Sequence, residues 1–354
     1  MSIRDICRKA LEGQHLDTEA IKELLDCSEK EYPVLQSAAQ EARRRYVGDV
    51  IHLRGLIEFS NICTCDCRYC GIRRSNSNTG RYTMSMEDII YAAQTAYQEH
   101  YGSVVLQSGE RSDPQFTGFV TDMVKQVKSI GNGKLGITLS CGIQTPEVYR
   151  KWREAGADRY LLRIESSDRK LFESLHPDTD FDTRCQALRD LKSAGYILGT
   201  GVMVGLPNQT TEMLSRDIDF FRSINADMIG LGPYVTHPDA VLENFGTDSN
   251  SRKQERLFMT CKMICVCRLV LKDVNIASAT ALSALDPENG RLRGLLAGAN
   301  VIMPNTGNPE HRKDYFLYAN KPDTAESIDS IRRTAELAGC TVELDTPGNP
   351  PHFK

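Results

Sequence analysis

The residues with the clearest chemical potential are cysteines that crowd into one short stretch. Four of the chain's 12 cysteines lie between Cys63 and Cys70, in the segment CTCDCRYC. Cys63, Cys67 and Cys70 follow the spacing C-x3-C-x2-C, and three thiolates at this spacing can each bind one iron of a four-iron, four-sulfur cubane. The fourth iron then has no protein ligand and is open to a substrate. The spacing therefore predicts a reactive iron–sulfur centre.

A structural zinc site is the alternative interpretation, with Cys65 as the fourth thiolate of a closed tetrahedral set. Structural zinc usually joins two separated cysteine pairs, whereas all four ligands here would fall within eight residues. We therefore favour the cubane and treat Cys65 as a bystander. Cys261, Cys265 and Cys267 suggest a second metal site, but they fall on a predicted helix, where Cys267 turns away from the other two. Core packing is favoured for them, and we expect a single cluster.

Composition and charge limit the classes of function. The chain has 354 residues, of which 40% are hydrophobic and 25% are charged, as in ordinary globular proteins. The net charge is -4 and no dense stripe of Lys or Arg is visible, so we do not expect nucleic-acid binding. No run is long and apolar enough for a bilayer, and nothing points to secretion. We therefore expect a cytoplasmic protein that acts on a small molecule.

Short apolar runs alternate with amphipathic stretches from His52 onward, which predicts strands alternating with helices. After the first predicted strand, Ser85 and Asp88 form a capping box that predicts a helix. The predicted strands are LRGLIEF (53–59), SVVLQ (103–107), LGITLS (135–140), RYLLR (159–163), LGTGVMV (198–204), MIGLG (228–232), VNIASA (274–279) and NVIMP (300–304). Eight such units predict an α/β fold, a (β/α)8 TIM-type barrel, with an open doubly wound sheet as the runner-up.

Three segments make up the predicted domain organisation. Residues 1–48 form an N-terminal helical cap, residues 49–305 form the barrel, and residues 306–354 form a C-terminal helical extension that packs on the barrel. In the extension, Asp323 and Glu326 form a capping box and Gly339 ends the helix.

The cysteine segment FSNICTCDCRYCGIRR follows the first predicted strand, on the face where barrel enzymes build their active sites. This segment resembles the radical S-adenosylmethionine (SAM) superfamily. Over about residues 52–304 the chain resembles one branch of it, the HydE family of FeFe-hydrogenase maturases, in a group that also holds biotin synthase and methylornithine synthase. The further segments that carry this resemblance are RYTM (81–84), VLQSGE (105–110), GADRYLLRIES (156–166), MVGLPNQT (203–210), DMIGLGPYVTHPD (227–239) and GANVIMPN (298–305).

The resemblance implies two cofactors, one 4Fe-4S cluster and SAM. The open iron would bind the amino and carboxylate groups of SAM, and an electron from the cluster would release a 5'-deoxyadenosyl radical. The acidic strand end at Glu110 would take the SAM ammonium, Glu165 the ribose hydroxyls and Arg184 the carboxylate, for which a guanidinium fork is suited. The full set of implied SAM contacts is Tyr69, Gln107, Ser108, Gly109, Glu110, Ser140, Arg163, Glu165, Arg184 and Met203.

Substrate contacts are predicted at later strand ends and at one charged residue inside the first strand. Thr280 and Asn305 follow the seventh and eighth strands on the functional face, and Tyr234 and His237 follow the sixth. A lone His is more often a structural hydrogen-bonding residue than a ligand. Arg54 lies within the first strand, where a charge should face a polar chamber or pair with a carboxylate.

Two enzymatic hypotheses and one non-enzymatic hypothesis remain open. The leading hypothesis is a hydrogenase maturase that acts on a cysteine-ligated iron complex bearing carbonyl and cyanide. HydG would deliver that complex, HydF is a further candidate partner, and ferredoxin or flavodoxin would supply electrons. The second is a mutase resembling methylornithine synthase. The third is a metal-carrying scaffold that does not cleave SAM.

Three positions depart from the family pattern, namely Ile164, Ala279 and the run Cys141-Gly142-Ile143. If they face the chamber, they mark a divergent substrate.

Overall fold

A computed structural model describes residues 1–242, 249–307, 309–322 and 326–353. The chain begins with the predicted helical cap. The third helix of this cap packs on the long helix at Asn250–Leu271. Ser2 and Asp17 accept backbone hydrogen bonds at the starts of the first two helices, so both have the side-chain cap that a free helix end needs. The cap consists of α1 (Ile3–Leu11), α2 (Thr18–Leu25) and α3 (Tyr32–Tyr46).

All eight predicted strands are present, and two of them are interrupted by short breaks. The strands are β1 (Val50–Ser60), β2 (Ser103–Ser108), β3 (Gly136–Ser140), β4 (Arg159–Leu161), β5 (Ile197–Thr200), β6 (Met203–Val204), β7 (Met228–Ile229), β8 (Gly232–Pro233), β9 (Asn275–Ile276), β10 (Val301–Ile302) and β11 (Thr341–Glu343). The predicted fifth strand comprises β5 and β6, and the predicted sixth comprises β7 and β8.

The barrel closes, which decides between the two predicted architectures. The parallel strands run in the order β10-β1-β2-β3-β4-β5-β7-β9. Its two ends are joined because Asn300 N–H donates to Ile276 O at 2.9 Å and Ser278 N–H donates to Val301 O at 2.9 Å. A sheet whose edge strands bond to each other is a barrel. The (β/α)8 prediction is confirmed and the open sheet is excluded.

Helices surround the barrel and bury their apolar faces on it. Ser85 begins α4 as predicted, since its Oγ accepts the Asp88 N–H at 3.1 Å. The helices are α4 (Met86–Gln98), α5 (Pro114–Ser129), α6 (Pro146–Ala155), α7 (Arg169–Leu175), α8 (Phe181–Ser193), α9 (Thr211–Ser223), α10 (Asn250–Leu271), α11 (Thr280–Leu285), α12 (Gly290–Leu296), α13 (Pro309–Arg312) and α14 (Ile328–Leu337), with 3-10 turns at Ile130–Gly133 and Pro351–Phe353. No helix of the described ranges has both the length and the apolar character needed to cross a bilayer.

The C-terminal extension differs from its prediction in two respects. Its helix α14 begins at Ile328 with Ser327 as the N-cap, two residues after the described chain resumes at Glu326, and Asp323 of the predicted capping box lies outside the described residues. The extension also contains β11, which pairs in parallel with the start of β1. A strand of three residues, none of them fully buried, is too short to show the alternation of apolar and polar residues by which strands are recognised in a sequence.

Candidate active site

The cysteine-bearing loop after β1 is shaped by two polar side chains. The Arg81 guanidinium donates to four carbonyl oxygens of this loop, those of Asn61, Ile72, Arg73 and Asn76, at 2.6 to 3.0 Å. Asn61 Nδ2 donates to Gly80 O at 2.6 Å and to Asp314 O at 2.8 Å. Backbone carbonyls of this loop have no partners in a helix or strand, and these side chains bond to several of them instead. The bonds therefore fix the path of the chain around the cysteines. Sequence reasoning did not identify either role.

Cys63 has the features of a metal-binding thiolate. Its Sγ accepts the backbone N–H groups of Cys65 and Glu110, both at 3.4 Å. The Cys65 thiol also donates to it, and these hydrogen bonds lower the pKa of Cys63 to about 7 against the opposing effect of burial. Gly109 allows this approach, because a Cβ there would lie 2.5 Å from Ile62 O and 2.8 Å from Cys63 Cβ.

Cys67 and Cys70 complete a set of three neighbouring thiols. Burial raises the pKa of Cys67, and it raises the pKa of Cys70 to about 12; in both cases the neighbouring cysteines add to the shift. Such thiols ionise when a cation compensates for the lost hydration, so this donor set fits bound iron.

The geometry does not supply a closed zinc site. No three His, Cys, Asp or Glu side chains of the described residues converge as ligands of one metal ion. The Cys65 thiol is directed at Cys63 as a hydrogen-bond donor. A cubane places its three thiolates on three different irons and does not require them to converge on one atom. Cys65 is therefore not a candidate ligand itself, but its thiol donates a hydrogen bond to one, Cys63.

The ends of β2 and β3 adjoin the cysteine loop. Gln107 pairs with Ser140 across the two strands, and both side chains are half-buried. Ser108 Oγ donates to Gly109 O at 2.8 Å, so its hydroxyl is engaged in the local turn. The Glu110 carboxylate lies against Gly142, where any side chain would collide with it, and its charge acts on the cysteine thiols.

A group of buried charges follows β4. Arg163 Nη2 lies 3.1 Å from Glu165 Oε2, and Arg184 Nη1 donates to Arg163 O at 2.7 Å. Within the part of the chain that the structure describes, the buried Nε atoms of Arg163 and Arg184 donate no hydrogen bond. Glu165 has a φ of 62°, a strained value for a residue other than glycine, and burial raises the pKa of its carboxyl. Buried donors left open beside a strained carboxylate are typical of a ligand site.

Tyr69, Met203 and Tyr234 meet in a small apolar cluster, separate from the main core. The sequence assigned the first two to SAM and Tyr234 to substrate, and the structure brings all three together. The cluster also contains residues that the sequence did not single out, namely Leu171, Leu175, Leu206, Met213 and Leu242.

Thr280 and Asn305, two of the predicted substrate contacts, line one cavity of about 350 Å³. Leu56 and Met303 supply apolar walls, and the C-terminal extension closes one side. The other lining residues are Ser283, Pro287, Arg291, Asn320, Lys321, Pro322 and Glu326.

A buried ion pair stands at the wall of this chamber. Lys321 Nζ lies 2.5 Å from Glu58 Oε1 and donates to Tyr315 O at 2.8 Å, and Asn305 Nδ2 donates to Glu58 Oε2 at 2.8 Å. Burial raises the pKa of Glu58, and the Lys321 ammonium opposes that shift. Sequence reasoning missed this pair because its members are 263 residues apart.

Arg54 and His237 lie away from the chamber. Arg54 contacts Met228 Sδ and donates to Gly348 O at 3.3 Å, so it faces the C-terminal tail at the opposite end of the barrel. His237 Nδ1 accepts the Asp239 N–H at 3.0 Å, and its ring packs against Phe316 and the backbone of Gly71. Neither side chain lines the cavity that holds Thr280 and Asn305.

The three departures from the family pattern differ in position. Ile164 and Cys141 are fully buried in the main apolar core, so these two do not alter the chamber. Ala279 precedes Thr280, which lines the cavity, and is the N-cap of α11, where it offers no side-chain hydrogen bond. Ala279 is therefore the departure that stands beside one predicted substrate contact.

The chain is similar in sequence and fold to several known proteins. A model of the radical SAM superfamily matches residues 57–221. The [FeFe] hydrogenase maturase subunit HydE of Thermotoga maritima is 42% identical over 346 residues, which are 96% of this chain and 95% of that protein. The 3-methylornithine synthase of Methanosarcina acetivorans is 28% identical over 308 residues, 85% of this chain and 84% of that protein. A crystal structure of methylornithine synthase (PylB) has a TM-score of 0.79 at 25% identity and covers 96% of this chain and 98% of that one.

Proposed function

Because the chain belongs to the radical SAM superfamily and, within it, to the HydE family of FeFe-hydrogenase maturases, we propose that it cleaves SAM reductively during assembly of the hydrogenase active-site cluster. The observation that carries this proposal is the alignment with the Thermotoga maritima maturase along nearly the whole chain. The loop geometry supports it, since hydrogen bonds favour the thiolate form of Cys63, and the half-buried thiols of Cys67 and Cys70 lie beside it.

Cys63, Cys67 and Cys70 hold one 4Fe-4S cluster in this proposal. When bound, the cluster would supply one electron to the sulfonium of SAM, and the broken carbon–sulfur bond would give methionine and a 5'-deoxyadenosyl radical. The loop's own part is to hold the three thiolates and to leave one iron without a protein ligand. The hydrogen bonds to Cys63 Sγ from Cys65 and Glu110 favour its charged form.

The strand ends orient SAM. The Glu110 carboxylate takes the ammonium group, together with the backbone at Gln107, Ser108 and Gly109. The open Nε of Arg184 takes the carboxylate, and Glu165, paired with Arg163, takes the ribose hydroxyls. Met203 and Tyr69 pack against the adenine through the apolar cluster. Ser140 adds a hydroxyl at the end of β3.

The substrate is a small organometallic compound, a cysteine-ligated iron complex bearing carbonyl and cyanide. Thr280 and Asn305 contact it in the chamber of about 350 Å³. Tyr234 belongs to the apolar cluster, and Arg54 and His237 lie outside the chamber, so none of the three lines the cavity that holds the substrate. HydG delivers the substrate, HydF is a further partner, and ferredoxin or flavodoxin supplies electrons. Free cysteines throughout the described chain suit a reducing compartment, so we place the protein in the cytoplasm.

The test uses the full chain, reconstituted with iron and sulfide without oxygen. Incubation with SAM, a reductant and the iron complex should yield a species in which the 5'-deoxyadenosyl group is bonded to the sulfur of the complex, detected by mass spectrometry. Formation of free 5'-deoxyadenosine alone would contradict the substrate assignment.

A mutase resembling methylornithine synthase is the second candidate, favoured by the TM-score of 0.79 to PylB. Incubation with deuterated amino acids separates the two functions. Deuterium in 5'-deoxyadenosine would indicate hydrogen abstraction from an amino acid, and its absence would favour the maturase.

A further inference from the structure

Residues 175–178, the last residue of α7 and the three that follow it, are hydrogen-bonded to the cysteine loop at four places. Backbone N–H groups donate from Arg68 to Leu175 O at 3.0 Å and from Asp66 to Asp178 Oδ2 at 2.5 Å. The side chains add two further bonds, Arg74 Nη2 to Asp178 Oδ1 at 3.3 Å and Tyr69 Oη with His176 Nε2 at 3.1 Å. A loop of this length with so many bonds to one short segment depends on that segment for its position.

The hydrogen bonds of His176 fix which ring nitrogen carries the proton. Nδ1 lies 2.9 Å from Phe172 O, and a carbonyl oxygen can only accept, so Nδ1 carries the hydrogen. Burial, assisted by the Arg184 charge, lowers the pKa of His176 to about 3, so the ring is neutral. Nε2 is therefore an acceptor, and the Tyr69 hydroxyl donates to it.

His176 also contacts Phe172, which in turn lies beside Arg184, a predicted SAM contact. Its ring stacks on Phe172 with centroids 4.2 Å apart, and the Arg184 guanidinium lies 5.7 Å from the Phe172 ring. Arg184 in turn donates to Arg163 O. One continuous set of contacts thus joins Tyr69, which stands between two candidate cluster ligands, to the arginine proposed to bind the SAM carboxylate.

We propose that His176 is a positioning residue that couples the two cofactor sites, so that SAM bound at Arg184 helps the cysteine loop to retain the cluster. The inference rests on the proposed function, because it assumes that Cys63, Cys67 and Cys70 hold iron and that Arg184 meets SAM. Coupling of this kind is reciprocal, so cluster loading also tightens SAM binding.

The test measures how far SAM slows the loss of the cluster to an iron chelator. The full, cluster-loaded chain is mixed with the chelator without oxygen, with and without saturating SAM, and the ratio of the two rates is the protection factor. Tyr69→Phe and His176→Phe remove the same hydrogen bond from opposite sides and keep an aromatic ring. Tyr196→Phe is the matched control, because it removes a buried hydroxyl that donates to Tyr149 O at 2.8 Å in the barrel wall.

We expect each of the two variants to reduce the protection factor about fivefold, the equivalent of one neutral hydrogen bond. The protection factor of the double variant should fall no further than that of either single variant, since both substitutions break the same hydrogen bond. Tyr196→Phe should keep the wild-type protection factor. An unchanged factor in Tyr69→Phe, or an equal loss in Tyr196→Phe, would overturn the coupling. A wild-type chain that retains no iron or is not protected by SAM at all would instead count against the proposed function.

Discussion

The two halves of the barrel are built differently. In the half from β1 to β6, each predicted SAM contact lies on a strand end or in the adjoining loop, except Arg184, which lies in the first turn of α8. In the half from β7 to β10, the wall depends on residues of the C-terminal extension such as Lys321 and Glu326. The predicted SAM contacts therefore come mostly from single strand–loop units, whereas the wall of the chamber combines segments from distant parts of the chain.

This difference separates two tasks. The first half carries the thiols and the open guanidinium donors, which belong to SAM cleavage in the proposed function. The second half carries the cavity with Thr280 and Asn305, which belongs to the substrate. Changes in the first half should abolish or weaken SAM cleavage, and changes in the second should affect the substrate or the stability of the wall.

The largest effect is expected from Cys67→Ala, because the loop then offers only two of three thiolates. Bound iron should fall to background and SAM cleavage should stop, as measured by iron analysis and 5'-deoxyadenosine formation. Cys7→Ala, the same change at a buried thiol of the N-terminal cap, should leave both measurements at the wild-type level. Full iron content in Cys67→Ala would refute the assignment of the ligands.

Lys321→Met tests the wall of the second half. It leaves Glu58 buried without its cation, which should lower the free energy of unfolding by about 3–5 kcal/mol in urea titrations of the iron-free protein. The double variant Glu58→Gln/Lys321→Met should recover most of the loss. Arg150→Met breaks an exposed pair with Glu147 and should cost under about 1 kcal/mol. Equal losses in Lys321→Met and Arg150→Met would show that the buried pair does not support the wall.

Glu165→Gln and Thr280→Val test the division of tasks directly. Glu165→Gln should weaken SAM binding about tenfold or more, because hydrogen bonds to a charged group are lost, as measured by equilibrium binding to the loaded protein. Thr280→Val keeps the side-chain shape and should leave SAM binding unchanged while it lowers adduct formation about fivefold. If Thr280→Val weakens SAM binding as much as Glu165→Gln, the two halves are not separate in function.

The smallest effect concerns Asp217, which is fully buried in α9 and accepts the Ser167 N–H at 2.6 Å just beyond Glu165. Burial raises the pKa of Asp217 from 3.8 to about 7. The folded state then binds the proton more tightly than the unfolded state, so this stabilisation is complete below about pH 4 and is lost as the pH rises through 7.

Asp217→Asn should remove that pH dependence. The difference in unfolding free energy between the variant and the wild type should grow steadily from pH 5 to pH 8 in favour of the variant. A difference that does not change with pH would mean that Asp217 keeps an ordinary pKa in the folded protein.

The sequence predicted local features better than contacts between distant segments, for a physical reason. Cysteine spacing and strand-end residues are local patterns, so Cys63, Glu110 and Glu165 were recognisable along with all eight strands. The partners of Glu58 and Tyr69 were not, because Lys321 and His176 approach them only after the chain has folded. Arg54 shows the limit most clearly, since its carbonyl partner, Gly348, belongs to a tail 294 residues away.

The central claim is that the loop after β1 makes this chain an enzyme that cleaves SAM. The most direct measurement is 5'-deoxyadenosine formed by the reconstituted full chain with SAM and a strong reductant, without oxygen and without any further substrate. The account predicts slow formation that requires Cys63, Cys67 and Cys70. A chain that binds four irons yet leaves SAM intact under these conditions would contradict it.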